Sequence, residues 1–174
     1  MIDKIGKSIL TMFGIGYFKY APGTAASFLT CIIWFTIDEY TKFSFLGLGK
    51  IFVLLFLIVL LFYSIILIDR LYNKKDAKEI VIDEFIGQSI PLIAFSFRPI
   101  DLIPGCCKKF SLDPQHVIWF ILAFILFRFF AILKPYPINL IDKKIKNGIG
   151  VMLDDIIAGI YSTIVIYIIY TLWF

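Results

Sequence analysis

Apolar positions in this chain fall in five long runs, at about 24–40, 46–69, 80–97, 115–133 and 149–172. Within them hydrophobic residues occupy most positions, without the regular polar face that a soluble amphipathic helix carries. A helix that crosses a bilayer needs roughly 20 apolar residues, so the first and third runs are marginal. Pro91 inside the third predicts a kink, which membranes tolerate when neighbouring helices satisfy the freed carbonyl. Ahead of the runs, Ile2, Ile5, Ile9 and Met12 fit one helical face and predict an amphipathic helix at the membrane interface. The expected fold is an all-α integral membrane protein with about five transmembrane helices plus an N-terminal interfacial helix. One domain over residues 1–174 accounts for the length.

Composition agrees with the pattern: 60% of the residues are hydrophobic, above the usual share of a soluble domain. The start of the chain lacks the long apolar core and small-residue cleavage site of a secretory signal. Net charge is +4, and the basic residues cluster at the ends of apolar runs. That distribution suits cytoplasmic anchoring of a multi-pass protein and not a nucleic-acid groove. With the N-terminus inside, Lys4, Lys7, Lys19, Arg70, Lys74, Lys75, Lys78, Lys134, Lys143, Lys144 and Lys146 are cytoplasmic. Lys42, Lys50, Arg98, Lys108 and Lys109 are then outside. The bias of 11 against 5 favours this orientation, with Arg128 left inside a span.

The orientation brings distant polar residues to one depth. Asp83 and Glu84 open the third run, Asp154 and Asp155 lie one turn into the fifth, and Arg128 and Lys134 close the fourth. The "APGT" of 21–24 precedes the first run on the same side. A carboxylate facing lipid costs roughly 2.5 kcal/mol or more, so these groups must face protein and find counter-charge. Two cations do not balance four carboxylates; protons or a divalent cation meet the shortfall. Carboxylate oxygens at a wet surface suit Mg²⁺. Asp83 and Gly87 are four apart, as are Asp155 and Gly159, so each acid has a glycine on its own helical face. Small residues let helices approach closely, close enough for two helices to share one ion. The bland alternative is that the pairs are solvated helix-start charges. For Arg128 the bland alternative is snorkelling to the headgroups.

Arg128 and Lys134 beside such a cluster make a phosphate-binding arrangement, one planar fork and one point charge. "KPYP" at 134–137 ends the helix that carries them. Thr24 or Ser27 can cap a helix after the "APGT" turn, where free backbone N–H groups attract an anion. The sequence has no D-x-D-x-T, no cysteine with an arginine six places on, no D-G-x-x-A-R, and one histidine, His116. Its three cysteines have no metal-ligand spacing. Phosphate chemistry on this chain must therefore use carboxylates and a metal.

On the stretches "GIGYFKYAPGTAAS", "IVIDEFIGQ", "FRFFAILKPYPI" and "GIGVMLDDIIAG", the chain resembles the phosphatidylglycerophosphatase A family of bacterial membrane enzymes. These run from residue 14 to 159 in the family's order. The resemblance implies Mg²⁺-dependent hydrolysis of phosphatidylglycerophosphate to phosphatidylglycerol and phosphate. It implies a multi-pass protein of the bacterial inner membrane with its active face cytoplasmic. Asp83, Glu84, Arg128, Asp154 and Asp155 would be catalytic. Asp83, Glu84, Asp154 and Asp155 would hold the metal, while Thr24, Ser27, Arg128 and Lys134 would bind the substrate phosphate. One position departs from the family pattern: Ala131 stands where the pattern has Asp, three residues after Arg128. Either the chain is a naturally impaired phosphatase or it is an inactivated variant of the family enzyme; the other motif residues are intact, which favours the second. Two other classes compete, a non-catalytic lipid binder and a proton or cation transporter, because intramembrane carboxylates also mark ion pathways.

Overall fold

The computed structural model describes residues 2–41, 48–72, 77–96 and 114–173. Among these, every regular element is helical. Helices α2 (Pro22–Thr41), α3 (Leu48–Leu71), α4 (Ile82–Ser96), α5 (Pro114–Leu133) and α7 (Gly148–Trp173) occupy the five apolar runs. Helix α1 (Ile2–Leu10) precedes them and a short α6 (Ile138–Lys144) links α5 to α7. The expected positions of Lys42, Lys74, Lys75, Arg98, Cys106, Cys107, Lys108 and Lys109 lie outside the described residues.

The expectation of about five full spans is met only in part. Among the described residues, two helical stretches, Ile51–Leu71 and Gly148–Leu172, are long and apolar enough to cross a bilayer alone. A third span results if Val117–Leu133 and Ile138–Lys144, bent by 51°, count as one. Helix α4 has 15 residues. At ~1.5 Å per residue it falls short of the ~30 Å hydrocarbon thickness. Its shortness goes with its content, since a helix carrying carboxylates and a proline gains more from packing on protein than from reaching across lipid. Phe52, Phe56, Val59, Phe62 and Ile66 on α3 are exposed, as a lipid-facing surface requires.

Helix α1 forms, and it packs on the bundle through a face other than the one that carries Ile5. Gly6 packs against Leu67 and Leu71 of α3, and Leu10 is fully buried, whereas Ile5 is exposed. The helix ends at Leu10, and Met12 follows in a turn at φ 47°. The glycine decides the contact: without a Cβ, the helix lies closer to α3 on that side than an isoleucine would allow. An ion pair of 3.3 Å between Asp3 and Arg70 adds to the joint.

Helices α4 and α7 cross through glycines. The Cα of Gly87 lies so close to the Asp155 backbone that a methyl group there would sit 2.6 Å from its carbonyl oxygen. Gly159 in turn abuts the Gly87 carbonyl. That carbonyl is also the one Pro91 deprives of its i+4 N–H donor, so the helix break lies at the crossing. Deeper in the bundle, Trp34 Nε1 donates to Ser89 Oγ at 2.8 Å, tying α2 to α4.

Candidate active site

The N-termini of α2, α4 and α7 and the C-terminus of α5 meet at one end of the bundle, and the expected polar residues gather there. Asp83, Glu84 and Asp155 each present a carboxylate oxygen, all within 4.8 Å of one another. The first two come from the opening turn of α4 and the third from the second turn of α7. The Gly87 crossing brings the two helices to this separation. Asp155 is buried, with Asp83 and Glu84 half-buried.

The adjacent acid, Asp154, points elsewhere. Lys134 Nζ donates to Asp154 Oδ2 at 2.8 Å and pairs with Asp142 Oδ1 of α6 at 3.1 Å. Consecutive helical residues are turned by about 100°, so one carboxylate of the pair joins the trio and the other faces the α5–α6 turn. Lys134 has φ 43°, a left-handed conformation uncommon for a residue with a side chain. It terminates α5, as the "KPYP" pattern predicts, and directs the ammonium back toward α7. Burial alone would lower its pKa, but the two carboxylates outweigh burial and hold the ammonium above its ordinary range.

Arg128 reaches the same region from α5. Its Nη1 donates weakly, at 3.4 Å, to Ser27 Oγ of α2. Ser27 donates to the Gly23 carbonyl at 2.9 Å, so it braces the first turns of α2 and does not cap the helix. Pro22 opens α2, which places Thr24 inside the helix. The Glu84 carboxylate lies against the Cα of Gly23, with Arg128 Nη1 beside it. Negative charge at a helix N-terminus is favourable, and only glycine leaves room for it here.

Among the described residues, Glu84 Oε2, Arg128 Nε and both amide atoms of Gln88 are buried at this end without a hydrogen-bond partner. Buried polar atoms seldom remain unmatched, and a carboxylate oxygen in that state is suited to ligating a cation. Carboxylate oxygens are the donors that Mg²⁺ takes, and three of them within 4.8 Å of one another could close on one small ion. The donor set therefore fits a small divalent ion with modest contraction. Sequence reasoning did not anticipate Asp142 or Gln88. Asp142 carries no signal in a sequence where only the α5–α6 bend brings it to Lys134, whereas Gln88 lies four residues after Glu84 on the same face.

Residues 8–170 match the family model described as phosphatidylglycerophosphatase A. The chain belongs to the phosphatidylglycerophosphatase A family. It is 39% identical over 158 residues to phosphatidylglycerophosphatase A of Haemophilus influenzae, covering 89% of this chain and 82% of that one. The Escherichia coli protein of the same name is 35% identical over 98 residues, 56% of this chain and 47% of its own length. A Bacteroides thetaiotaomicron protein, provisionally named a phosphatidylinositol-3-phosphatase, is 35% identical over 160 residues, 90% of this chain and 87% of that protein. No solved structure matches. Membership makes the chain a phosphatase of the lipid-phosphatase type.

Proposed function

We propose that this chain removes the terminal phosphate of phosphatidylglycerophosphate at the cytoplasmic face of a bacterial inner membrane, with Mg²⁺ as cofactor. The observation that carries the reading is the carboxylate trio of Asp83, Glu84 and Asp155 beside Arg128. Those three carboxylates are the residues that would hold the metal, with Asp154 kept out of the first set by Lys134. When bound, the metal supplies positive charge that polarises a phosphoryl oxygen. Arg128 supplies a planar fork for the remaining phosphoryl oxygens, where charge accumulates during transfer. Ser27 holds that fork in place. Lys134, fixed between Asp142 and Asp154, adds a second cation at the mouth of the site. The acyl chains stay in the bilayer, because the site lies at helix ends where headgroups are found.

Ala131 bears on rate. It is half-buried on α5 and packs with Phe127, Ile138 and Ala158, one turn from Arg128 and from Lys134. A methyl group there offers neither a ligand nor a proton acceptor, so turnover by this chain is slow. A transporter fits less well, because the charged residues lie at one end of the helices and not near their middles.

The test is phosphate release from phosphatidylglycerophosphate in detergent, with phosphatidylinositol 3-phosphate as the competing substrate. Ala131→Asp should release phosphate in a Mg²⁺-dependent way, and adding Asp155→Asn should abolish it. Release from neither lipid by a folded Ala131→Asp protein would remove the phosphatase reading from this chain.

A further inference from the structure

Next to the carboxylate trio lies a cavity of about 180 Å³ that none of the roles above fully uses. Its inner wall is formed by Asp83 and Asp154, and Lys134 and Asp142 flank it. Its outer wall carries Lys78, from the segment leading into α4, and Lys146, from the link between α6 and α7. The charges are not equivalent. Lys134 is taken by Asp142 and Asp154 at 3.1 and 2.8 Å. Lys78 and Lys146 are exposed and have no ion-pair partner among the described residues. Two lysines without an ion-pair partner among the described residues thus line a cavity that Asp83 and Asp154 also line.

Building on the phosphatase reading, we propose that Lys78 and Lys146 form a second anion subsite for the bridging phosphodiester of the lipid substrate. A lipid whose headgroup ends in a phosphomonoester carries two phosphates. The terminal one has a charge of roughly −1.5 to −2 at neutral pH, and the diester is a separate anion nearer the acyl chains. The cavity offers one recognition element for each, the Asp83 end beside the carboxylate trio for the terminal phosphate and the lysine pair for the diester. A subsite of this kind selects lipids with a headgroup between the two phosphates. It rejects phosphatidic acid, whose single phosphate cannot occupy both places. Simple membrane anchoring is the competing role for these lysines, and the neighbouring Lys143 and Lys144 provide its control. Both are exposed on the last turn of α6, and neither lines the cavity.

The full-length protein in neutral detergent would be titrated with phosphatidylglycerophosphate, phosphatidylglycerol and phosphatidic acid, with binding read from tryptophan fluorescence. Loss of one direct lysine–phosphate hydrogen bond weakens binding about fivefold. Lys78→Gln with Lys146→Gln should therefore weaken the two diester-containing lipids about 25-fold. Phosphatidic acid binding should change less than threefold, and Lys143→Gln with Lys144→Gln should leave the preference intact. Equal losses for all three lipids, or the same loss from the control pair, would reduce Lys78 and Lys146 to anchoring charges and overturn the subsite. Phosphate release by the Ala131→Asp protein is scored separately. Its failure would count against the phosphatase reading, whereas the binding preference tests the subsite alone.

Discussion

Lys134 Nζ lies 2.8 Å from Asp154 Oδ2, and this pair separates the roles of two adjacent aspartates. Asp154 is neutralised by a lysine, and Asp155 is left for the trio with Asp83 and Glu84. The pair is partly shielded, since the aspartate side chain is 12% exposed and the lysine 34%. Removing one partner should cost more than an exposed ion pair and less than a fully buried one, about 2 kcal/mol. Lys134→Met should lower the thermal unfolding temperature, and Lys134→Met with Asp154→Leu should recover most of the loss. A double variant as unstable as the single one would mean that the lysine stabilises through something other than Asp154.

The same division predicts unequal metal binding. Asp83→Asn and Asp155→Asn each remove a trio ligand and should weaken Mn²⁺ or Mg²⁺ binding at least tenfold, as loss of one charged ligand does. Asp154→Asn should change affinity much less, because its partner is Lys134. Calorimetric titration of the three variants reads this directly. Equal weakening in all three would place Asp154 in the metal shell and contradict the geometry.

Gly87 sets the separation of α4 and α7, so its replacement should affect both stability and the site. Gly87→Ala would put a methyl group 2.6 Å from the Asp155 carbonyl oxygen, a backbone atom that cannot step aside. Forcing helices apart in a packed interior costs about 1–3 kcal/mol. Metal affinity should fall together with the unfolding temperature, since the trio spans this crossing. Retained stability and affinity would show that the helices tolerate a wider separation.

Helix α7 is also held from outside its own sequence. Asp69 Oδ1, near the end of α3, accepts a hydrogen bond of 2.6 Å from the Gly148 N–H at the start of α7. It acts as an N-cap supplied by another helix, and Asp69→Ala should cost roughly 1 kcal/mol. Hydrogen exchange should rise in the first turn of α7 and leave its C-terminal half unchanged. Unchanged protection at residues 148–151 would show that water replaces the carboxylate at no cost.

Much of the site was legible because local chemistry forces it. Two acids in an apolar run must turn inward, a glycine one turn away marks the helix contact, and "KPYP" must end a helix. What was illegible depends on contacts between remote segments. Asp69 reaches Gly148 across 79 positions, and Asp142 meets Lys134 only because α6 folds back by 51°. The distinct fates of Asp154 and Asp155 follow from the rotation of α7 about its axis, which apolarity on all sides does not specify. The same uniform apolarity made span lengths uncertain: a run of hydrophobic residues signals burial in lipid or in protein alike, and α4 is chiefly the latter.

Position 131 sets stability against chemistry. Ala131 packs in an apolar cluster with Phe127 and Ile138, both fully buried, and with Ala158 of α7. An aspartate there adds a carboxylate to an apolar contact, where a charge needs a partner. Arg128 and Lys134 share its face of the helix and its continuation, at i−3 and i+3, but Lys134 already holds two carboxylates. Ala131→Asp should therefore lower the unfolding temperature, a loss of about 1–2 kcal/mol that an added divalent ion recovers in part. Turnover should move the other way, rising about 100-fold or more if the new group acts as an acid–base catalyst or completes the ligand set. Ala131→Asn separates the two effects, since it matches the aspartate in shape without its charge or basicity. It should pay a similar stability cost and gain no activity. An asparagine variant as active as the aspartate one would show that side-chain size at position 131, and not a carboxylate, limits the rate. Robust turnover by the unaltered chain, with no gain from aspartate and metal binding intact, would show that the site works without a carboxylate at this position.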